Sequence, residues 1–203
     1  ISPFNQTLHY GYGVFEGIRA YQTQSGLHIY KVRRHFERLM QSAKKLHIEM
    51  PYSVQEMINF AYELVEQNKL SEAYIRPFIF MDKNMGLRAV DADKPNVLIT
   101  CWKWKKYYPN NHLNVMVSSW RRPHPKTMPV DIKASGNYIN SILATREATQ
   151  NGYDDALLLD VEGYVATGPG ASFFMEKDGK LIVPPINYIF QGITIFAYFC
   201  QHW

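Results

Sequence analysis

Apolar residues in the first hundred positions keep two different periods in a fixed order, and that order limits the folds open to the chain. Over residues 34–46, Phe36, Leu39, Met40, Ala43 and Leu46 recur at helical spacing and predict one amphipathic helix. Ser53, with Glu56 three residues on, forms a capping box. It stands ahead of a second stripe made of Val54, Met57, Ile58, Ala61, Leu64 and Val65. A strand over 27–32 precedes this pair. Two runs rich in β-branched and aromatic residues, 73–80 and 96–102, follow it, separated by a Gly- and Asp-containing loop over 85–93. Two helices set between strands predict an α+β class.

The rest of the chain repeats the alternation. A polar, Pro-containing stretch over 103–112 reads as a connection between domains. A strand over 114–119 follows, then a helix over 138–151 that stops at Gly152. Strands over 156–159, 172–176 and 181–183 complete the pattern, the last two joined by the turn Lys177-Asp178-Gly179-Lys180. We expect a small N-terminal α+β domain over 1–101, an interdomain connection over 102–113 and a large domain over 114–203.

Composition removes several function classes. The 203 residues are 46% hydrophobic, enough to bury a sizeable core, so the chain is not disordered. A net charge of +4 with interspersed signs, and only a short basic run at Lys31 to His35, gives no nucleic-acid footprint. No apolar run has the length of a membrane span, and Ile1-Ser2-Pro3-Phe4-Asn5 does not read as a signal peptide. Two distant cysteines, Cys101 and Cys200, fit a reducing compartment, so a cytoplasmic protein is expected. Histidines are scattered singly without metal-ligand spacing, and no metal is expected. Gly11-Tyr12-Gly13-Val14-Phe15-Glu16-Gly17 misses the dinucleotide fingerprint. Gly168-Pro169-Gly170 reads equally as a simple turn or as a loop that brings amides to an anion.

Lys133 is the residue with the most chemical content. It lies in the run from Asp131 to Ser141, among apolar and small residues, with Tyr138 five positions on. Burial disfavours an ammonium ion, and a neutral lysine condenses with an aldehyde. The alternative from spacing alone is a solvated surface charge.

Six motifs occur in register over nearly the whole chain: His9-Tyr10-Gly11, Val14 to Arg19, Ala73 to Pro77, Lys133 to Ser141, Gly168 to Gly170 and Gly192-Ile193-Thr194. Together they resemble the branched-chain amino-acid aminotransferases, fold type IV pyridoxal-phosphate enzymes. The resemblance implies a two-domain architecture whose C-terminal domain is incomplete here, and a homodimer or higher homo-oligomer. It implies transamination of leucine, isoleucine or valine with 2-oxoglutarate, in biosynthesis or breakdown of these amino acids. D-amino-acid transaminase or aminodeoxychorismate lyase activity is the alternative within the superfamily, and a noncatalytic binding module is the alternative outside it.

The resemblance also assigns residues. Lys133 matches the cofactor-bound lysine and proton carrier. Arg33 matches the arginine on the pyridoxal 5′-phosphate phosphate, Ile193 and Thr194 the turn on the same phosphate, and Tyr138 the donor to the ring oxygen. Phe15, Tyr10, Trp104 and Tyr107 match an aliphatic side-chain pocket. Arg76, Tyr10 and Tyr107 match the groups for the distal carboxylate of glutamate, and Tyr74 a neighbour of the α-carboxylate. Thr167 stands where the family carries a glutamate facing the ring nitrogen, Ala171 where a polar group is frequent, and Ile195 where an arginine is usual.

Overall fold

The computed structural model describes all residues except 84–85, 89–93, 105–107, 109, 186–188 and 194–203. It divides into two units. The first holds Ile1–Tyr107 together with Ile132–Gly136, and the second holds Tyr108–Asp131 and Asn137–Trp203. The sequence-based split put Lys133 in the second domain, whereas its segment packs with the first unit, because Ile132 and Ala134 enter the first unit's hydrophobic core.

The first unit starts with a short helix, α1 (Gln6–Tyr10). Asn5 caps it by accepting from the Leu8 amide, and Gly11 ends it at φ 67°. Strands β1 (Gly13–Phe15), β2 (Ile18–Thr23) and β3 (Gly26–Ile29) follow, then helices α2 (Val32–Lys45) and α3 (Val54–Gln67), then strands β4 (Glu72–Phe80) and β5 (Asn96–Trp102). The capping box of α3 forms in both directions, as expected from Ser53 and Glu56. β4 is the centre of an antiparallel sheet: β5 pairs with it in one register, and β1 and β2 also pair with it.

Pro77 sits in this central strand, a place where a residue lacking an N–H is unusual. Its carbonyl accepts from the Glu16 amide at 3.0 Å, in the gap between β1 and β2. A residue's N–H and C=O leave a strand on the same side, so the missing donor faces that gap and costs no ladder bond.

Alternation along β4 separates the two sheet faces. Ala73, Ile75, Pro77 and Ile79 are buried, while Tyr74, Arg76, Phe78 and Phe80 are half-buried. The buried face joins Val14, Ile18, Ala20, Phe36, Leu39, Ala43, Met57, Ala61 and Val65 in one core. The opposite face carries the chemistry described below.

In the second unit, β6 (Val115–Arg121) runs parallel to β7 (Asp155–Leu159), which pairs antiparallel with β8 (Val165–Thr167). The crossover between β6 and β7 contains α4 (Tyr138–Gln150), preceded by a 3-10 turn, Ser135–Asn137. Small residues of α4, Ala144 and Ala148, pack against Ala156, Leu158 and Met116. Strands β9 (Met175–Lys177) and β10 (Lys180–Ile182) form a hairpin whose two turn residues have positive φ, Asp178 at 52° and Gly179 at 71°. This is the backbone a two-residue turn of the primed type requires.

Candidate active site

The segment at residues 132–134 meets β1 through a single antiparallel bridge just before the 3-10 turn. Ala134 bridges Val14 antiparallel, and the Phe15 amide donates to the Lys133 carbonyl at 3.1 Å. The Lys133 amide in turn donates to Ser42 Oγ on α2 at 3.4 Å. Gly11 makes the approach possible, and its carbonyl accepts from the Gly136 amide at 3.1 Å. A β-carbon on Gly11 would lie 2.8 Å from Gly136 Cα, a contact no other residue tolerates at this φ.

Register then decides which side chains meet. With Val14 opposite Ala134, Phe15 and Lys133 are cross-strand neighbours on one face. Phe15 also stands opposite Phe78, and side chains two apart on β4 share that face, which adds Arg76 and Tyr74. The contacts agree. Half-buried Lys133 holds Nζ 5.1 Å from the Phe15 ring centroid, and the Arg76 guanidinium carbon lies 4.5 Å from the same centroid. One aromatic ring therefore lies against two cations.

Arg76 Nη2 donates to Tyr74 Oη at 2.7 Å, and its Nε is buried without a partner among the described residues. Tyr74 meets Trp104 at 4.7 Å and Trp102 at 5.0 Å between ring centroids. Arg19 is placed opposite Tyr74 on β2, and its Nε is likewise buried without a partner among the described residues. Buried guanidinium donors left open on one face suit an oxygen-rich anion.

Of the residues expected to act, Lys133, Phe15, Tyr74, Arg76 and Trp104 are thus brought together within the first unit. Tyr10 is not in that cluster; it is exposed at the end of α1. Arg33 is exposed on α2 and its Nη2 donates to Gln55 Oε1 at 2.6 Å. Tyr107 and Thr194 lie outside the described residues.

In the second unit, Tyr138 is half-buried at the first position of α4 and Ile193 is buried. The Thr167 hydroxyl donates to the Ala171 carbonyl at 2.8 Å, and the Gly168 amide donates to that same oxygen at 3.0 Å. The Gly168 loop therefore closes on itself as a turn.

Sequence reasoning missed a buried charged group behind β1. Glu16 is fully buried and receives Arg38 Nε at 2.6 Å, Arg38 Nη2 at 2.8 Å and His35 Nδ1 at 2.8 Å. Burial alone would raise the Glu16 carboxyl, but hydrogen bonds and charge from His35 and Arg38 outweigh it and hold the group below its ordinary value. His35, Arg38 and Ser42 recur at helical spacing, so Arg38 lies one turn from the residue that touches the Lys133 backbone. A glutamate between two strands and a His-x-x-Arg pair in the next helix were the only signals for it.

Arg122 was missed as well. It is buried, its Nη1 donates to Asn140 Oδ1 at 3.4 Å, and its Nε has no partner among the described residues. Burial pushes the guanidinium down from its ordinary value, and the Tyr138 hydroxyl opposes that shift.

Comparison with known proteins gives the family. The family described as amino-transferase class IV matches residues 13–199. The branched-chain-amino-acid aminotransferase of Pseudomonas aeruginosa is 42% identical over 193 residues, 93% of this chain and 62% of its own length. The crystal structure of the Escherichia coli branched-chain amino acid aminotransferase superposes with a TM-score of 0.96 at 36% identity, over 98% of this chain and 68% of that one. The branched-chain amino acid aminotransferase of Thermobaculum terrenum, in its PLP-bound holo-form, superposes at 0.89 with 32% identity, over 98% of this chain and 66% of that one. The chain spans less than two thirds of the length of the curated relatives it matches, and its fold is that of the fold type IV aminotransferases.

Proposed function

Because this chain belongs to the class IV aminotransferase family, we propose that it moves the amino group of a branched-chain L-amino acid to 2-oxoglutarate, with pyridoxal 5′-phosphate as cofactor. The observation that carries this reading is the Lys133 amine held over Phe15 beside Arg76 on one sheet face. When bound, the cofactor supplies an aldehyde for that amine and a ring that withdraws electrons. Lys133 would then take the proton from the substrate Cα and pass it to the carbon that bore the aldehyde, acting as general base and general acid in turn. Arg76 receives the distal carboxylate of glutamate through its Nε, which no described residue occupies, and Phe15 and Trp104 give the aliphatic side chain an apolar wall.

Tyr138 is the proposed donor to the ring oxygen, and Arg33, Ile193 and Thr194 the groups for the phosphate. Tyr10 and Tyr107 complete the substrate set. The same reading makes the protein a cytoplasmic homodimer of branched-chain amino-acid metabolism. Exposed Phe4, Leu8 and Tyr10, on and beside α1, support a partner there.

The test begins with protein incubated with pyridoxal 5′-phosphate, reduced with borohydride and mapped by mass spectrometry. The adduct is expected on Lys133 and absent from Lys133→Ala, and leucine with 2-oxoglutarate should yield glutamate. An adduct confined to other lysines would refute the assignment. Thr167 favours a second reading, a scaffold that binds the cofactor but turns over slowly. Detection of the adduct without leucine-dependent glutamate is the outcome that selects it.

A further inference from the structure

We propose that Trp102 is a positioning residue for the distal carboxylate, acting through Tyr74 on Arg76. The inference rests on the reading that Arg76 receives that carboxylate. Trp102 is the direct cross-strand partner of Tyr74 in the β4–β5 register, so both rings stand on the face that carries Arg76. Trp102 and Trp104 lie 5.4 Å apart and both meet the Tyr74 ring, at 5.0 Å and 4.7 Å. On its remaining side the phenol occupies the room of an absent side chain: a β-carbon on Gly17 would stand 2.1 Å from Tyr74 Oη. Tyr74 is thus held by two indoles and a glycine.

What this clamp fixes is an acceptor. Tyr74 Oη takes one hydrogen bond from Arg76 Nη2 at 2.7 Å, and Phe15 supports the guanidinium plane at 4.5 Å. One end and one face of the guanidinium are therefore set, and Nε is buried without a partner among the described residues. A planar fork recognises a carboxylate only when its orientation is fixed. Trp102 is not a core residue, being 36% exposed. Its contacts go to the ring that orients Arg76.

Loss of the indole leaves the phenol free to turn, and the cost falls on the substrate that needs Arg76. Trp102→Leu is expected to raise the KM for 2-oxoglutarate about tenfold, the weight of one or two lost aromatic contacts. The KM for leucine should rise less than that for 2-oxoglutarate, because leucine shares only the α-carboxylate neighbour Tyr74 and has no distal carboxylate for Arg76, and kcat should change less than about threefold. Binding of glutarate to the cofactor-free protein, measured by titration calorimetry, should weaken by the same factor. Trp102→Phe, which keeps a ring against Tyr74, should restore both values. Equal changes for leucine and 2-oxoglutarate, or unaltered glutarate affinity in Trp102→Leu, would overturn the proposal. Wild-type protein that turns over neither substrate overturns the aminotransferase reading instead, and the glutarate comparison, which needs no turnover, then decides Trp102 alone.

Discussion

Glu16 is the most fully enclosed carboxylate near the candidate site, and its partners determine how it responds to acid. Its pKa is held below the unfolded value of about 4.3, so its contribution to stability is complete above that pH. It is lost as the pH falls through the lower folded value. Glu16→Gln leaves Arg38 and His35 without their counter-charge and should cost about 3–5 kcal/mol at neutral pH. The variant should also lose the acid-dependent step expected of the wild type, below the range of an unfolded carboxyl, in a thermal-melt series. A variant as acid-sensitive as the wild type would show that the carboxylate is not the titrating group. Thr167 poses the opposite case, a neutral residue where the resemblance implies a charge. Its hydroxyl proton is given to the Ala171 carbonyl. If Thr167→Glu recovers about 3 kcal/mol of transition-state stabilisation, kcat rises roughly a hundredfold at saturating cofactor. No gain in kcat would mean that another group serves the nitrogen.

At the scale of elements, α2 shows where the sequence was readable and where it was not. The stripe of Phe36, Leu39 and Ala43 is buried as its spacing predicts, and β4, β5, α3 and α4 lie within a residue or two of their expected bounds. The strand expected over 27–32 ends at Ile29 instead, because Lys31 turns left-handed at φ 48° and opens α2 at Val32. A lysine gives no sign of such a turn, which is ordinarily the place of glycine. Lys31→Gly is therefore expected to stabilise the protein by about 1 kcal/mol, seen as a higher melting temperature. An unchanged or lower value would mean that the Lys31 side chain, 5.9 Å from the Tyr30 ring, offsets the backbone strain. The site was legible to the same degree. Periodicity along β4 alone puts Tyr74 and Arg76 on one face, but their meeting with Lys133 depends on a pairing across more than a hundred residues that no local pattern encodes. Trp102 had no distinguishing signal, since an aromatic residue at a strand end reads as core.

At the scale of the molecule, the two units are consolidated to different degrees. In the first, buried Phe36, Ile18, Ile29, Leu39, Met57, Ile75 and Ile79 belong to one cluster that joins the sheet to both helices. In the second, the described core beneath α4 is Ala144, Ala148, Ala156 and Leu158 with Met116, and a smaller cluster holds Ala166, Ile189 and Phe174. Alanine removes little apolar area from water, so this core contributes less per residue. On the same elements Ile139, Ile142, Val115 and Val117 are exposed, apolar area that adds nothing to the stability of this unit. Local opening follows buried apolar contact. Hydrogen exchange read by mass spectrometry should therefore show α4, β6 and β7 opening at lower free energy than α2, α3, β2 and β4. Full-length protein at a concentration where it is monomeric is the sample to use, because a partner covering Ile139 and Ile142 would raise protection in α4 by mass action. Equal protection in both groups would mean that the chain unfolds as one cooperative unit, with the alanine core carried by the larger one.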